Sequence, residues 1–173
     1  MDITLIISGG ILIGCIIALS WFAGSDAPYV PTKMDKIKEI LKLAGDKKTP
    51  VFPLIGKKFY ELGSGDGRVV REAARLGAKA FGIEQSWIRV LYSRWKSHNL
   101  KLNNAKFMHG NIFKKNYKDA DIVYIYLLSK AVKRLEKKLS NELKKESVMI
   151  TQTYHFPTLK PFKKTDDFWF YKT

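Results

Sequence analysis

The sequence is poor in cysteine, histidine and acidic residues. Its one cysteine, Cys15, excludes an intrachain disulfide and a cysteine-based zinc site. The three histidines, His98, His109 and His155, do not have the spacing of metal ligands, so we predict no metal site. Aspartate and glutamate together number 16 against 31 lysines and arginines, which gives a net charge of +15. This imbalance favours an anionic partner or surface, such as acidic lipid, nucleic acid or an acidic protein, without choosing among them.

Charged residues are also missing from the N-terminal stretch Ile3–Phe22, over 20 positions. As a helix this stretch would be about 30 Å long, which is the thickness of the hydrocarbon core of a bilayer. Trp21 and Phe22 stand where an interfacial aromatic belt would lie. We therefore predict that residues 1–24 form a single-pass transmembrane helix, with the lipid bilayer as its partner. A cleaved signal peptide is the alternative, but it would have a basic N-terminus in place of Asp2 and a shorter apolar core.

The orientation of such an anchor follows from the basic residues after it. Lys33, Lys36 and Lys38 are the first lysines of the chain. The positive-inside rule therefore predicts that the remainder of the chain lies on the cytoplasmic side of the membrane, or on the matrix side if the protein is mitochondrial.

The length of 173 residues leaves room for one domain of about 150 residues and a short additional segment. We assign residues 1–24 to the anchor, residues 25–56 to a helix with a linker, and residues 57–173 to an α/β domain.

The most informative stretch is Phe59–Arg68, which reads FYELGSGDGR. A short apolar run leads into three alternate glycines, and Val69–Leu76 then has helical periodicity until Gly77. This order of strand, tight turn and helix predicts the first unit of a Rossmann-like sheet. The dinucleotide fingerprint G-x-G-x-x-G is incomplete, because its third glycine is replaced by Arg68.

The pattern is instead E-x-G-x-G-x-G, which resembles motif I of the class I methyltransferases that use S-adenosyl-L-methionine (SAM). SAM carries no phosphate but has an ammonium, a sulfonium, a carboxylate and a ribose. The acidic side chains of Glu61 and Asp66 suit such a ligand better than they suit a pyrophosphate. A structural glycine turn in an unrelated α/β protein is the alternative. The cofactor contacts predicted from this loop are Glu61, Gly63, Ser64, Gly65, Asp66 and Gly67.

The segment before the motif contains two prolines, Pro28 and Pro31, which hold the residues preceding them extended. We predict that this rigid turn lies over the cofactor, with Tyr29 and Thr32 as contacts. Thr32 is also expected to cap a helix. The apolar face predicted for that helix consists of Met34, Ile37, Ile40, Leu41 and Leu43.

Two later strands end in polar residues. Lys79–Glu84 reads as a buried strand, and Glu84 lies 17 positions beyond the last glycine of the motif, near the spacing at which a carboxylate meets a ribose diol. Ala105–His109 reads as the third strand. In the resembled class the polar residue after this strand meets the adenine edge, which points to Asn111 with Ile112 beside it.

The remaining elements complete an α/β pattern. Asp121–Leu128, Ser147–Thr153 and Asp167–Tyr171 are the further strands, the last of them an antiparallel edge strand. The predicted fold is therefore Rossmann-like, with a mostly parallel sheet. In the helix Trp87–Leu100, we expect the apolar residues to be core residues; they are Trp87, Val90, Leu91 and Trp95. In the helix Ser129–Leu143, the residues Val132, Leu135 and Leu139 oppose a lysine-rich face that is either solvated or in contact with anionic lipid.

Taken together, these motifs resemble one group of methyltransferases over nearly the full length of the chain. The group is the protein-lysine methyltransferase family that includes the mitochondrial enzymes acting on the c-subunit of ATP synthase and on the adenine nucleotide translocase, and a broad-specificity archaeal relative. The matching segments are PYVPT at Pro28–Thr32, ELGSGDGR at Glu61–Arg68, GIE at Gly82–Glu84, SRW at Ser93–Trp95, IYLL at Ile125–Leu128 and LEKKL at Leu135–Leu139. The sequence departs from the group at Thr49–Gly56 and at His155–Pro157, which puts the choice of substrate in doubt more than cofactor binding.

The resemblance implies methyl transfer from SAM to the ε-amine of a lysine in a protein substrate, which the anchor suggests is a membrane protein. We find no strong candidate for a general base. Tyr126 is the candidate catalytic residue, as a wall of the lysine channel or as a group that orients the amine, and a packed strand aromatic is the alternative interpretation.

Two other functions stay open at this point. Nucleic-acid methylation agrees with the basic charge, but the signature D/N-P-P-Y/F of many amino-methylating nucleic-acid enzymes is missing where Ile125–Leu128 stands. A membrane-tethered SAM-binding protein without activity is the other alternative.

Overall fold

The computed structural model describes residues 2–23, 29–45, 51 and 53–173, and the side chains of the first helix as far as Leu19. Several expectations concern parts of the chain outside this description. They are those placed on the side chains of Trp21 and Phe22, on Pro28 and on most of the linker before Gly56. Within that described part, no helix is long and apolar enough to cross a membrane.

Five helices and seven strands make up the described part of the chain. The helices are α1 (Ile3–Ala23), α2 (Met34–Ala44), α3 (Arg68–Arg75), α4 (Trp87–Asn99) and α5 (Ser129–Glu142). The strands are β1 (Lys58–Leu62), β2 (Lys79–Glu84), β3 (Ala105–His109), β4 (Ile122–Ile125), β5 (Val148–Gln152), β6 (Lys163–Lys164) and β7 (Phe168–Lys172).

The strands form one sheet in the order β3-β2-β1-β4-β5-β7-β6. Strands β1 to β5 pair in parallel, and β7 runs antiparallel to both of its neighbours. The strand order reverses between β1 and β4, because the chain winds outward from β1 to β3 and then outward again from β4. In open α/β sheets, such a switch point leaves a crevice at the carboxyl ends of the strands, where ligands bind.

Both faces of the sheet are covered, as parallel strands require. Successive side chains of β4 alternate between the faces. Ile122 and Tyr124 belong to a core with α2 and α3, whereas Val123 and Ile125 belong to a second core with α5. The predicted packing of α5 is confirmed, since Val132, Leu135 and Leu139 are fully buried.

The predicted Rossmann-like fold is confirmed, and β2 and β3 have the predicted bounds. The last strand is antiparallel, as predicted. Its prediction as the edge of the sheet is wrong, because the two-residue strand β6 pairs along its outer side.

The outward face of α4 differs from the prediction. Val90 is buried, but Trp87, Leu91 and Trp95 are 56%, 57% and 61% exposed. Their interpretation as core residues is wrong, because all three side chains stay more than half exposed, although the Trp87 ring stacks on His109 at the end of β3 with 4.1 Å between the ring centroids. The three side chains recur every four residues and so form one stripe along the helix. Leu43, expected on the buried face of α2, is also 38% exposed.

Candidate active site

A cavity of about 650 Å³ opens at the carboxyl ends of the central strands. Its size lies within the range of small-molecule sites, roughly 300–1,000 Å³. The predicted site residues that line it are Tyr29, Thr32, Glu61, Gly63, Ser64, Gly65, Asp66, Glu84, Asn111, Ile112 and Tyr126. The fold thus brings together, at the switch point, residues that are nearly 100 positions apart in the sequence.

Gly67 is not among the residues that line the cavity. It precedes α3 with φ of +76°, and a Cβ at this position would lie 2.4 Å from the ring of Phe107 and 2.8 Å from Ser93 Oγ. The glycine therefore allows α3 to begin in close contact with β3 and α4. A direct cofactor contact from Gly67 stays a prediction.

The amide groups of the glycine loop are already used by the chain. The amides of Gly63 and Ser64 both donate to the Ile83 carbonyl, at 2.9 and 3.0 Å. The amide of Gly65 donates to Glu84 Oε2 at 2.8 Å. A pyrophosphate site needs loop amides directed at the ligand. These three are directed into the protein, which agrees with the sequence-based preference for a ligand without phosphate.

Tyr29 closes the cavity over the glycine loop. Gly65 has φ of +53°, and a Cβ at this position would lie 3.0 Å from the Tyr29 ring. The Arg68 guanidinium donates to the Tyr29 hydroxyl at 3.3 Å and to Asp66 Oδ2 at 2.9 Å. Burial alone would raise the pKa of Asp66, but the hydrogen bonds and charge of Arg68 lower it below its ordinary value. Arg68 therefore joins the Tyr29 segment to an ionised carboxylate of motif I.

The predicted role of Thr32 as a helix cap is wrong. The position before α2 is Lys33, and it makes no side-chain capping bond. Thr32 Oγ1 instead donates to Gln152 Oε1 at 2.8 Å. The Tyr124 hydroxyl donates to the same oxygen, so the turn before α2 is fastened to β4 and β5.

Glu61, at the end of β1, carries an unusual carboxylate. The residue is 6% exposed, and its Oε2 is buried without a hydrogen-bond partner in the described structure. Burial raises the pKa of Glu61 well above its ordinary value, and the nearby carboxylates of Asp66 and Glu84 raise it further. The Val70 amide and the Arg71 guanidinium act in the opposite direction but do not compensate. A cation in the cavity would supply the missing partner.

Glu84, at the end of β2, is held by three groups. Its Oε2 accepts from the Gly65 amide, and its Oε1 accepts from the Ser86 amide at 2.9 Å. The Arg89 Nε lies 3.7 Å from the same Oε1, and both side chains are 3–4% exposed. A carboxylate has about four acceptor positions. Glu84 therefore has capacity left for the hydroxyl groups of a ribose.

The loop after β3 forms another wall of the cavity. Asn111 Oδ1 accepts from the Phe113 amide at 2.8 Å, which shapes the loop. The Arg134 guanidinium lies 4.0 Å from the centre of the Phe113 ring, and both residues line the cavity. Sequence reasoning missed this cation–π pair, because nothing in the spacing of Phe113 and Arg134 shows that α5 meets this loop.

The end of the cavity near β4 and β5 is lined mainly by aromatic and aliphatic side chains. Tyr126, Leu127 and Leu128 follow β4, and Thr153 and Tyr154 follow β5. The only carboxylates among the lining residues come from β1, β2 and the loop between β1 and α3. Among the described lining residues, no carboxylate lies at this end.

These features fit the cofactor that motif I implies. When bound, SAM supplies an electrophilic methyl group on a sulfonium. The unpartnered Glu61 Oε2 suits its ammonium, and Glu84 suits its ribose hydroxyls. The amides of Gly63, Ser64 and Gly65, by contrast, are directed away from a diphosphate in the cavity.

Comparison with known proteins agrees with this geometry. The family model described as the ANTKMT methyltransferase domain matches residues 61–163, more than half of the chain. The ATP synthase C-subunit lysine N-methyltransferase of Rattus norvegicus is 29% identical over 141 residues, which are 81% of this chain and 62% of that protein. A protein-lysine N-methyltransferase of Saccharolobus islandicus is 28% identical over 140 residues, which are 78% of this chain and 81% of that protein.

A solved structure also matches. The RNA methyltransferase from Salinibacter ruber in complex with S-adenosyl-L-homocysteine has a TM-score of 0.75 at 25% identity, with 83% of this chain and 93% of that chain covered. The chain spans 62% of the rat relative and 54% of the Homo sapiens protein of the same name. The matched family model, the fold and the motif I loop establish that the chain belongs to the ANTKMT methyltransferase domain family, whose cofactor is SAM.

Proposed function

We propose that this protein transfers a methyl group from SAM to the ε-amine of a lysine in a protein substrate. The observation that carries the proposal is the end of the cavity near β4 and β5, where Tyr126, Leu127 and Tyr154 lie without a carboxylate. The rat and archaeal relatives are lysine N-methyltransferases, which supports the same substrate.

The chemistry of lysine explains why such surroundings are suitable. A lysine ammonium has an unperturbed pKa of about 10.4, and only the neutral amine is a nucleophile. Apolar and aromatic walls remove water from the ammonium, which lowers its pKa and favours the neutral amine. Tyr126 lines this part of the cavity, where its ring confines the amine and its hydroxyl can orient it.

A nucleic-acid substrate is the second candidate, and the similarity to an RNA methyltransferase favours it. The segment Ile125–Leu128, which begins at the last residue of β4 and reads IYLL, argues against it. It brings aliphatic side chains to a place where amino-methylating nucleic-acid enzymes carry D/N-P-P-Y/F.

The first experiment incubates the purified full chain with tritium-labelled SAM and membranes from the source cells. We expect label in a protein band that disappears when lysines are blocked by reductive methylation and that survives nuclease. The variant Tyr126→Ala should transfer label about tenfold to a hundredfold more slowly, because the amine is no longer confined, and should still bind SAM. Glu61→Gln serves as the control for loss of cofactor binding.

Two results would contradict the lysine proposal. Label that nuclease alone removes would indicate a nucleic-acid substrate. SAM binding by calorimetry without any transfer to membranes or lysate would indicate a SAM-binding protein without activity.

We further propose that residues 1–24 anchor the protein in a membrane, with residues 57–173 on the cytoplasmic side or, in a mitochondrion, the matrix side. Ile3–Phe22 supports this proposal because its 20 residues carry no charge. The large apolar side chains described in α1 are also 51–71% exposed, so they need another environment. A membrane protein, or one at the membrane surface, would then be the substrate.

Removal of residues 1–24 tests the anchor. We expect the shortened chain to stay in the supernatant when membranes are sedimented, and to methylate its native target in intact membranes about tenfold more slowly or worse, because the effective concentration is lost. Equal activity on detergent-solubilised target is the control. An unchanged rate in intact membranes would contradict the anchor.

A further inference from the structure

The exposed stripe on α4 consists of large apolar side chains that have no role in the proposed methyl transfer. Trp87, Leu91 and Trp95 are more than half exposed, and none of them lines the cavity. Trp95 lies eight residues after Trp87, so the stripe is about 12 Å long. Tryptophan has an apolar ring and a polar N–H, so it is enriched where protein meets the interface of a bilayer.

The stretch of sequence that contains the stripe and follows it is basic. From Gln85 to Lys118 the sequence contains eight lysines and arginines and no aspartate or glutamate. All of the eight except Arg89 reach the surface. The whole chain has 16 acidic residues, but this run of 34 positions has none. The net positive charge of the protein is therefore concentrated on α4, β3 and the loop after it.

The place of α4 in the fold allows this face to meet a flat surface. α4 packs on β2 and β3, and β3 is the outermost strand at its end of the sheet. Helix α1 also approaches α4. The helix that carries the stripe therefore lies beside the helix that we propose as the anchor.

We propose that the outer face of α4, with Trp87, Leu91 and Trp95 at its centre and the surrounding basic residues at its rim, docks on the headgroup region of an anionic bilayer. The inference rests on the proposed anchor and adds to it a second contact that fixes the orientation of the domain. The tryptophans enter the interface, and the basic side chains pair with lipid phosphates. Lysines and arginines near an anionic surface are each attracted to it, so the rim favours acidic lipid over zwitterionic lipid.

The test uses the full chain at one copy per nanodisc, in discs of phosphatidylcholine with or without phosphatidylglycerol. In a Cys15→Ser background, a nitroxide is attached at His98→Cys beside the stripe or at Lys163→Cys on β6, at the opposite edge of the sheet. Chelated nickel on the lipid headgroups then relaxes a nitroxide that lies near the bilayer. We expect strong relaxation at position 98, little at position 163, and more at position 98 in anionic discs.

The stripe itself is tested by Trp87→Gln, Leu91→Gln and Trp95→Gln together, with Phe162→Gln as the matched control. Phe162 is 60% exposed and lies beside β7, far from α4 in the strand order. We expect the triple variant to lower the docked population about tenfold or more, and the control to leave it unchanged. Unchanged SAM binding in both variants shows that they are folded.

Several outcomes would overturn the inference. Equal relaxation at positions 98 and 163 in chains that have entered the discs would contradict the docking face but not the anchor. If the chains do not enter the discs, the proposed anchor is contradicted as well. Relaxation at position 98 that requires two chains per disc would indicate a protein interface, and its loss on addition of an RNA oligonucleotide would indicate a nucleic-acid surface.

Discussion

Glu61→Gln is expected to lower SAM affinity by about tenfold to a hundredfold, the range for losing a hydrogen bond to a charged group. The physical reason is the buried Oε2, which has no partner in the described structure and is suited to the cofactor ammonium. Isothermal titration calorimetry measures the loss. The control is Glu39→Gln, on the exposed side of α2, which should bind SAM like the wild type.

The pH dependence of binding gives the same prediction a second readout. The pKa of Glu61 is raised by burial in the free protein, and a bound ammonium would lower it. SAM binding should therefore release protons, and its affinity should fall as the pH falls through the raised pKa. Calorimetry in buffers of different ionisation enthalpy measures this release, which Glu61→Gln should abolish. A proton release that persists in Glu61→Gln would contradict the assignment.

The same substitution should stabilise the free protein. Because the pKa of Glu61 is higher in the folded than in the unfolded state, the folded protein binds more protons. The raised pKa of Glu61 stabilises the folded state at low pH. This stabilisation is lost as the pH rises from the ordinary glutamate pKa through the raised pKa. At neutral pH, the cost of ionising or protonating this buried carboxyl group destabilises the free protein. Glu61→Gln removes that cost, so thermal unfolding without SAM should occur at a higher temperature. A variant that loses both affinity and stability would indicate general damage instead.

Glu84→Ala is expected to lower the free energy of unfolding by about 3 kcal/mol or more, because it removes one partner of a buried ion pair. Arg89 loses the carboxylate that lies 3.7 Å from its Nε, and the amides of Gly65 and Ser86 lose their acceptors. For a chain of this size the melting temperature should fall by about 10 °C. Differential scanning calorimetry without SAM measures the change.

The matched control breaks an ion pair at the surface. Lys36 pairs with Asp167, and their side chains are 46% and 39% exposed. Such pairs contribute about 0–1 kcal/mol, so Lys36→Ala should change the melting temperature by only a few degrees. Equal effects of Glu84→Ala and Lys36→Ala would show that Glu84 does not stabilise the loop in the way its contacts indicate.

The local elements could be predicted because their signals are local. β2 and β3 have the predicted bounds, since each is a short strand-forming run that turns or loops delimit. The glycine pattern after Glu61 likewise predicted a tight turn, and Gly63, Gly65 and Gly67 all have positive φ there. Most of the predicted site residues line one cavity, because parallel strands end at the same edge of the sheet.

Other features depended on long-range packing. Thr32 had the sequence context of a helix cap, but Gln152 lies within reach of its hydroxyl, and this buried acceptor takes the hydrogen bond. Trp87 and Trp95 had the spacing of a helix core, yet both stay more than half exposed, with Trp87 stacked on His109 at the end of β3.

The sequence by itself determined the order of helices and strands, the glycine turn, the acidic residues suited to a cationic cofactor and the excess of positive charge. These properties follow from neighbouring residues and from composition. Only the tertiary structure decided that Oε2 of Glu61 is buried without a partner, that Arg134 covers Phe113, and that a stripe of α4 faces outward. Each of these depends on which elements pack together, and that is set by the strand order and not by spacing along the chain.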